Sequence, residues 1–87
     1  MTPTKRQIAR VIRQAAKSLT PRNPLQKALF AVSKKHGTRG ALYYDAAVRC
    51  LKAHTPLPFA SIVRLPTVTL QREMRRAARA LEHGLHI

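Results

Sequence analysis

Arg72, Arg75, Arg76 and Arg79 recur at i, i+3, i+4 and i+7, the spacing that places four side chains on one side of a helix. Arg6, Arg10, Arg13 and Lys17 repeat the device near the N-terminus. At 100° per residue they fall inside an arc of roughly 60°. Lys34, Lys35 and Arg39 form a third cluster at a turn. Like charges at these spacings repel, and a helix face that merely meets water mixes signs and pairs Glu with Lys one turn apart. That mixing is missing here. The first 44 residues contain no acid, and the chain's three acids are Asp45, Glu73 and Glu82. A line of arginines makes chemical sense when phosphates sit between the guanidiniums, whose planar fork donates bidentately to phosphate oxygens.

Charge over the whole chain carries the same message. Its 87 residues hold 17 Lys and Arg against three Asp and Glu, a formal net charge of +14. At most three of those cations can pair with a side-chain acid. The others must face water, counterions or an anionic partner.

Other chemistries find no residues to do them. The two acids nearest in sequence, Glu73 and Glu82, are nine apart and lie on opposite flanks of one helix, so no paired carboxylates serve as acid and base. Ser18, Ser33 and Ser61 lack the Gly-x-Ser-x-Gly setting of a nucleophile elbow. His36-Gly37-Thr38-Arg39-Gly40 lacks the spacing and the Lys-Ser/Thr of a phosphate loop. Cys50 with His54, and His83 with His86, have helical spacings, but a structural zinc takes four ligands and the chain has one thiol. The expectation is therefore no enzyme, no metal and no cofactor. One cysteine also excludes an internal disulfide framework. No apolar run approaches the ~20 residues of a membrane helix.

The elements that carry the charges can be read between the prolines and glycines. A first helix spans about Thr4 to Leu19, capped by Thr4, with Ile8, Val11, Ile12, Ala15, Ala16 and Leu19 as its apolar stripe. A second begins with Asn23 as cap, Pro24 in the first helical position and Gln26 as a capping-box partner, and ends at Gly37. Its stripe is Leu25, Ala28, Leu29 and Val32. A third runs from about Ala41 to Ala53 on Tyr44, Ala47, Val48 and Leu51. Residues 55–69, with Pro56, Pro58 and Pro66, read as an extended or single-turn segment, with a short strand over Ser61 to Leu65 as a further option. A last helix from about Leu70 to His83, capped by Thr67 or Thr69, buries Leu70, Met74, Ala77, Ala78 and Leu81. The fold expected is one all-α domain over residues 1–87, with three to four short helices and a proline-rich extended segment before the last.

Alanine supplies 13 of the apolar residues and buries little area. Burial stabilises by roughly 25 cal/mol per Å², and self-repulsion works against the compact state. Marginal stability follows, with a gain when an anion neutralises the surface.

The anion expected is RNA. Phosphate contacts bind through counterion release without reading sequence. A helix-turn-helix can be drawn across the second and third helices. Its would-be reading helix begins Ala41-Leu42-Tyr43-Tyr44-Asp45, without the Asn, Gln or Arg that reads base edges. Tyr43 or Tyr44 is available to stack, and a small basic helical chain suits docking onto folded RNA by shape. In composition and size the chain is similar to small ribosomal proteins that fill crevices in ribosomal RNA. The function expected is thus a structural RNA-binding component of a ribonucleoprotein, foremost a mitochondrial ribosome, with neighbouring proteins of a large assembly as further partners. Arg6, Arg10, Arg13, Lys17, Lys34, Lys35, Arg39, Arg72, Arg75, Arg76 and Arg79 would contact phosphates. The mitochondrial matrix is suggested because an acid-free amphipathic Arg-bearing first helix is also the pattern of a presequence, here uncleaved. A cytoplasmic ribonucleoprotein is the alternative location. The rival functions are a basic accessory subunit of a mitochondrial respiratory complex, acting by protein contacts, and a non-specific DNA-binding protein.

Overall fold

The structure, a computed structural model, describes residues 2–84. His86, half of the second histidine pair, lies outside them. The described residues form α1 (Lys5–Ser18), α2 (Leu25–Lys34), a 3-10 turn (Gly37–Arg39), α3 (Gly40–Ala53), α4 (Phe59–Ile62) and α5 (Thr67–Glu82). No strand occurs among them, and the fold is a small all-α one.

The first helix forms as its sequence dictates. Thr4 caps it, accepting from the Gln7 backbone N–H, while the Gln7 side chain accepts from the Thr4 N–H at 2.8 Å. This reciprocal pair satisfies two donors that the helix end would otherwise orphan. Val11, Ile12, Ala15, Ala16 and Leu19 are buried, joined by Ala9, and Ile8 is half-buried.

The second helix starts differently from the reading above. Pro24, not Asn23, is its cap residue, and no side chain caps it. Asn23 instead turns back and donates from Nδ2 to the Ser18 carbonyl at 2.8 Å, satisfying the end of α1. A tight turn holds it there, with Asn23 N–H bonded to Thr20 O at 2.9 Å. The buried stripe is the expected Leu25, Ala28, Leu29 and Val32, extended by Ser33. Gly37 ends the run in the left-handed region, φ +64°, where a Cβ would be strained.

Gly40 has a separate reason to be glycine. A Cβ there would stand 2.8 Å from the Ser33 carbonyl oxygen, so its absence lets the start of α3 close onto α2. The close approach sets which side of α3 faces inward. Tyr43, Ala47, Cys50 and Leu51 are buried, while the expected Tyr44 and Val48 are only half-buried.

Residues 55–69 are more helical than their prolines suggest. Pro58 caps the single turn of α4, and Pro66 caps α5, which starts at Thr67 rather than Leu70. Proline breaks a helix interior but suits a helix start, where its missing N–H is no loss. There is no strand over Ser61 to Leu65; Ile62 is fully buried.

The most extensive packing is between α1 and α5. Gln71, early in α5, donates to the Ala16 carbonyl near the end of α1 at 2.8 Å. Leu81, late in α5, borders a cavity with Pro3 and Ile8 at the start of α1. The two helices therefore run in roughly opposite directions, burying Ile12, Met74, Ala77 and Ala78. Small alanines at this seam let the backbones approach, and the basic sides of both helices are left facing outward.

Candidate nucleic-acid interface

The helical spacing of Arg72, Arg75, Arg76 and Arg79 becomes a physical groove. Among the described residues these four side chains alone line a shallow surface cleft of about 320 Å³, and all four residues are exposed. The stripe Leu70, Met74, Ala77 and Ala78 is buried on the other side of α5, so the core fixes the direction in which the arginines point. Arg76 is ion-paired with Glu73, one turn earlier. Four guanidiniums against one carboxylate leave an excess of positive charge around a groove whose walls are the arginines' own side chains, methylene stems included.

Arg6, Arg10, Arg13 and Lys17 line a second cleft, of about 380 Å³, with Gln14 and Glu82. Arg6, Arg10 and Lys17 are exposed, and Arg13 is half-buried. Glu82 reaches this cleft from α5 and ion-pairs with Arg13. Helix periodicity gave no sign of this contact, because it joins residues brought together only by the packing of α1 on α5. Arg13 is thus partly neutralised, and the remaining positive charge lining this cleft is that of Arg6, Arg10 and Lys17.

The third cluster divides. Lys35 lines a cleft of about 260 Å³ with Arg10, Gln7, Gln14 and His36. It therefore adds to the α1 surface. Lys34, 100° round the helix, opens onto a different pocket between α2 and α3. Arg39 is half-buried at the start of α3 and makes an interaction of its own.

The two tyrosines differ from the expectation that either could stack on a base. Tyr43 is 3% exposed, and its ring is covered by His36, stacked at 3.8 Å between centroids and 8° between planes. Tyr43 faces inward because the Gly40–Ser33 contact turns that side of α3 toward α2. Tyr44 is half-buried and meets Phe30 edge to face at 6.4 Å. Phe30 is 59% exposed.

All three acids are engaged with arginines: Glu82 with Arg13, Glu73 with Arg76, and Asp45 with Arg49 at 3.0 Å. Among the described residues no three of His, Cys, Asp and Glu come together to hold a metal ion. Cys50 is buried and its thiol lies 3.7 Å from the Ala77 carbonyl oxygen. Cys50 and His54 both border an apolar cavity of about 580 Å³ between α3 and the ends of α1 and α5. Burial pushes the Cys50 thiol up to about 11, so it stays protonated at neutral pH and is a poor nucleophile and ligand. No described helix is long and apolar enough to cross a membrane. In comparison with known proteins, the chain matches no family model, no curated protein and no solved structure.

Proposed function

We propose that the chain is a structural RNA-binding component of a ribonucleoprotein assembly, foremost a ribosome, and that it is not an enzyme. The observation that carries this reading is the cleft lined by Arg72, Arg75, Arg76 and Arg79. A protein surface evolved only to stay dissolved has no use for four mutually repelling guanidiniums around one groove. A phosphate backbone neutralises all of them at once, releasing its condensed counterions as it does so. The Arg6–Arg10–Lys17 surface with Lys35 supplies a second strand of contacts. Helix faces lined by Arg and Lys suit recognition of folded RNA by shape and phosphate position. The mitochondrial matrix is the proposed location, resting on the acid-free amphipathic α1.

Contact with neighbouring proteins is part of the same reading. Leu42, 51% exposed, stands at the rim of the apolar cavity bordered by Cys50 and Leu81. This feature favours the accessory-subunit alternative, in which acidic protein surfaces neutralise the arginines. The test is the native particle. Purified from its source, it should absorb strongly at 260 nm and fall apart under ribonuclease but not deoxyribonuclease. A particle that survives both nucleases and contains only protein supports the accessory-subunit reading instead.

A further inference from the structure

We infer that the pocket between α2 and α3, walled by Phe30 and Tyr44, takes one unpaired RNA base by stacking, with Lys27 and Lys34 on the phosphates either side. The inference rests on the RNA reading above and adds to it a second kind of contact, made to a base rather than to the backbone.

The pocket measures about 350 Å³ and is bordered by Phe30, Ser33, Lys34, Gly37, Gly40 and Tyr44. That volume falls within the range of small-ligand sites. Phe30 is 59% exposed, which leaves much of its ring surface available to a stacking partner. Tyr44 stands edge-on to it at 73° and closes one side. Gly37 and Gly40 add no side chains, which keeps the floor open. Ser33 is 1% exposed, and its hydroxyl has no hydrogen-bond partner among the described residues. A buried hydroxyl without a partner is costly. The hydroxyl is sealed beneath the pocket, so Ser33 forms part of its floor and the contact is carried by stacking on Phe30.

Charge decides between a base and an apolar peptide. Lys27 and Lys34 lie three residues before and four after Phe30, one turn away on either side along the same helix face. Both are exposed. No acid occurs in α2, and the nearest, Asp45, is held by Arg49. An aromatic ring bracketed by two cations is the arrangement that binds single-stranded nucleic acid: the ring takes the base and the cations take the backbone. Stacking tolerates any base, so the pocket reads strandedness and not sequence.

The experiment uses the full chain and two RNAs of equal length, a hairpin with 2-aminopurine in its unpaired loop and a fully paired duplex. Wild type should bind the hairpin and quench its fluorophore. Phe30→Ala should weaken hairpin binding by roughly five- to a hundredfold and abolish quenching. It should leave duplex affinity, salt dependence and melting temperature unchanged. Phe30→Tyr should restore quenching, and Phe30→Leu should not. If Phe30→Ala binds the hairpin as wild type does, the base pocket is overturned while the RNA reading stands. If Phe30→Leu matches wild type, the site is a generic apolar contact for a protein neighbour, and the inference fails. If wild type binds neither RNA, the inference and the RNA reading fall together.

Discussion

The Arg13 guanidinium is ion-paired with the Glu82 carboxylate, and this contact ties the middle of α1 to the last turn of α5. Both side chains keep substantial solvent exposure, 40% for Arg13 and 28% for Glu82. A pair of this kind contributes about 0–1 kcal/mol. Its larger effect is on charge, because Glu82 is the one acid in the α1 cleft. Glu82→Gln should therefore lower the melting temperature only slightly. It should tighten RNA binding at low salt and steepen the salt dependence by up to about 0.9 log units per log unit, the value of one added phosphate contact. Titrations of both proteins at several salt concentrations check this.

Leu29 and Arg49 test the assignment of faces. Leu29 is fully buried, and Leu29→Asp puts an unpaired charge into the core at a cost of roughly 3 kcal/mol or more. The Arg49 side chain is 79% exposed and pairs with an exposed Asp45 one turn earlier. Arg49→Ala should cost less than about 1 kcal/mol. Urea unfolding of both variants should separate them clearly; equal midpoints would contradict the fold.

Gly40→Ala separates helix propensity from packing. In an open helix the change stabilises by about 1 kcal/mol. Here the new Cβ meets the Ser33 carbonyl oxygen at 2.8 Å, a backbone atom that cannot rotate away. Net destabilisation of about 1–3 kcal/mol is expected, measured by denaturant unfolding. A stabilised Gly40→Ala protein would mean that α2 and α3 sit farther apart.

How far these elements could be read from sequence depended on which forces fix them. The span, cap and stripe of α1 follow from local signals: the Thr4–Gln7 box and a repeat of larger apolar residues. The third helix was misread by part of a turn. Its alanines leave Tyr43 and Tyr44 both plausible inward residues, and a tertiary contact, Gly40 against Ser33, chooses Tyr43. The prolines at 58 and 66 were read as barriers and act as helix starts. The arginine line of α5 needed only periodicity. The Arg13–Glu82 pair, the joining of Arg10 with Lys35 and the Phe30–Tyr44 pocket were invisible, since each joins side chains from different helices.

Cys50 reports on opening. Its thiol is raised by burial from an ordinary 9.0 to about 11. Because the folded value is the higher, the folded chain holds this proton longer than the unfolded one. The stability it represents is present below pH 9 and is lost as pH rises through about 11. Wild type should lose stability across that window more steeply than Cys50→Ala. At pH 8, reaction with a thiol reagent should proceed only through unfolding. Polyphosphate, by relieving charge repulsion, should slow it severalfold at low salt. Rapid labelling that ignores polyphosphate would contradict the marginal-stability argument.

The central claim is that the α5 arginine groove lies along RNA phosphates. The direct measurement is the salt dependence of RNA affinity for wild type and for a variant with Arg72, Arg75, Arg76 and Arg79 all replaced by Gln. Glutamine keeps helix propensity nearly level and leaves the buried stripe intact. Log affinity should fall linearly with log salt, by about 0.7–0.9 per phosphate contact. The quadruple variant should show a slope shallower by roughly three units, with a structured RNA still preferred over duplex DNA. An unaltered slope would show that the arginine groove is not where the chain meets RNA.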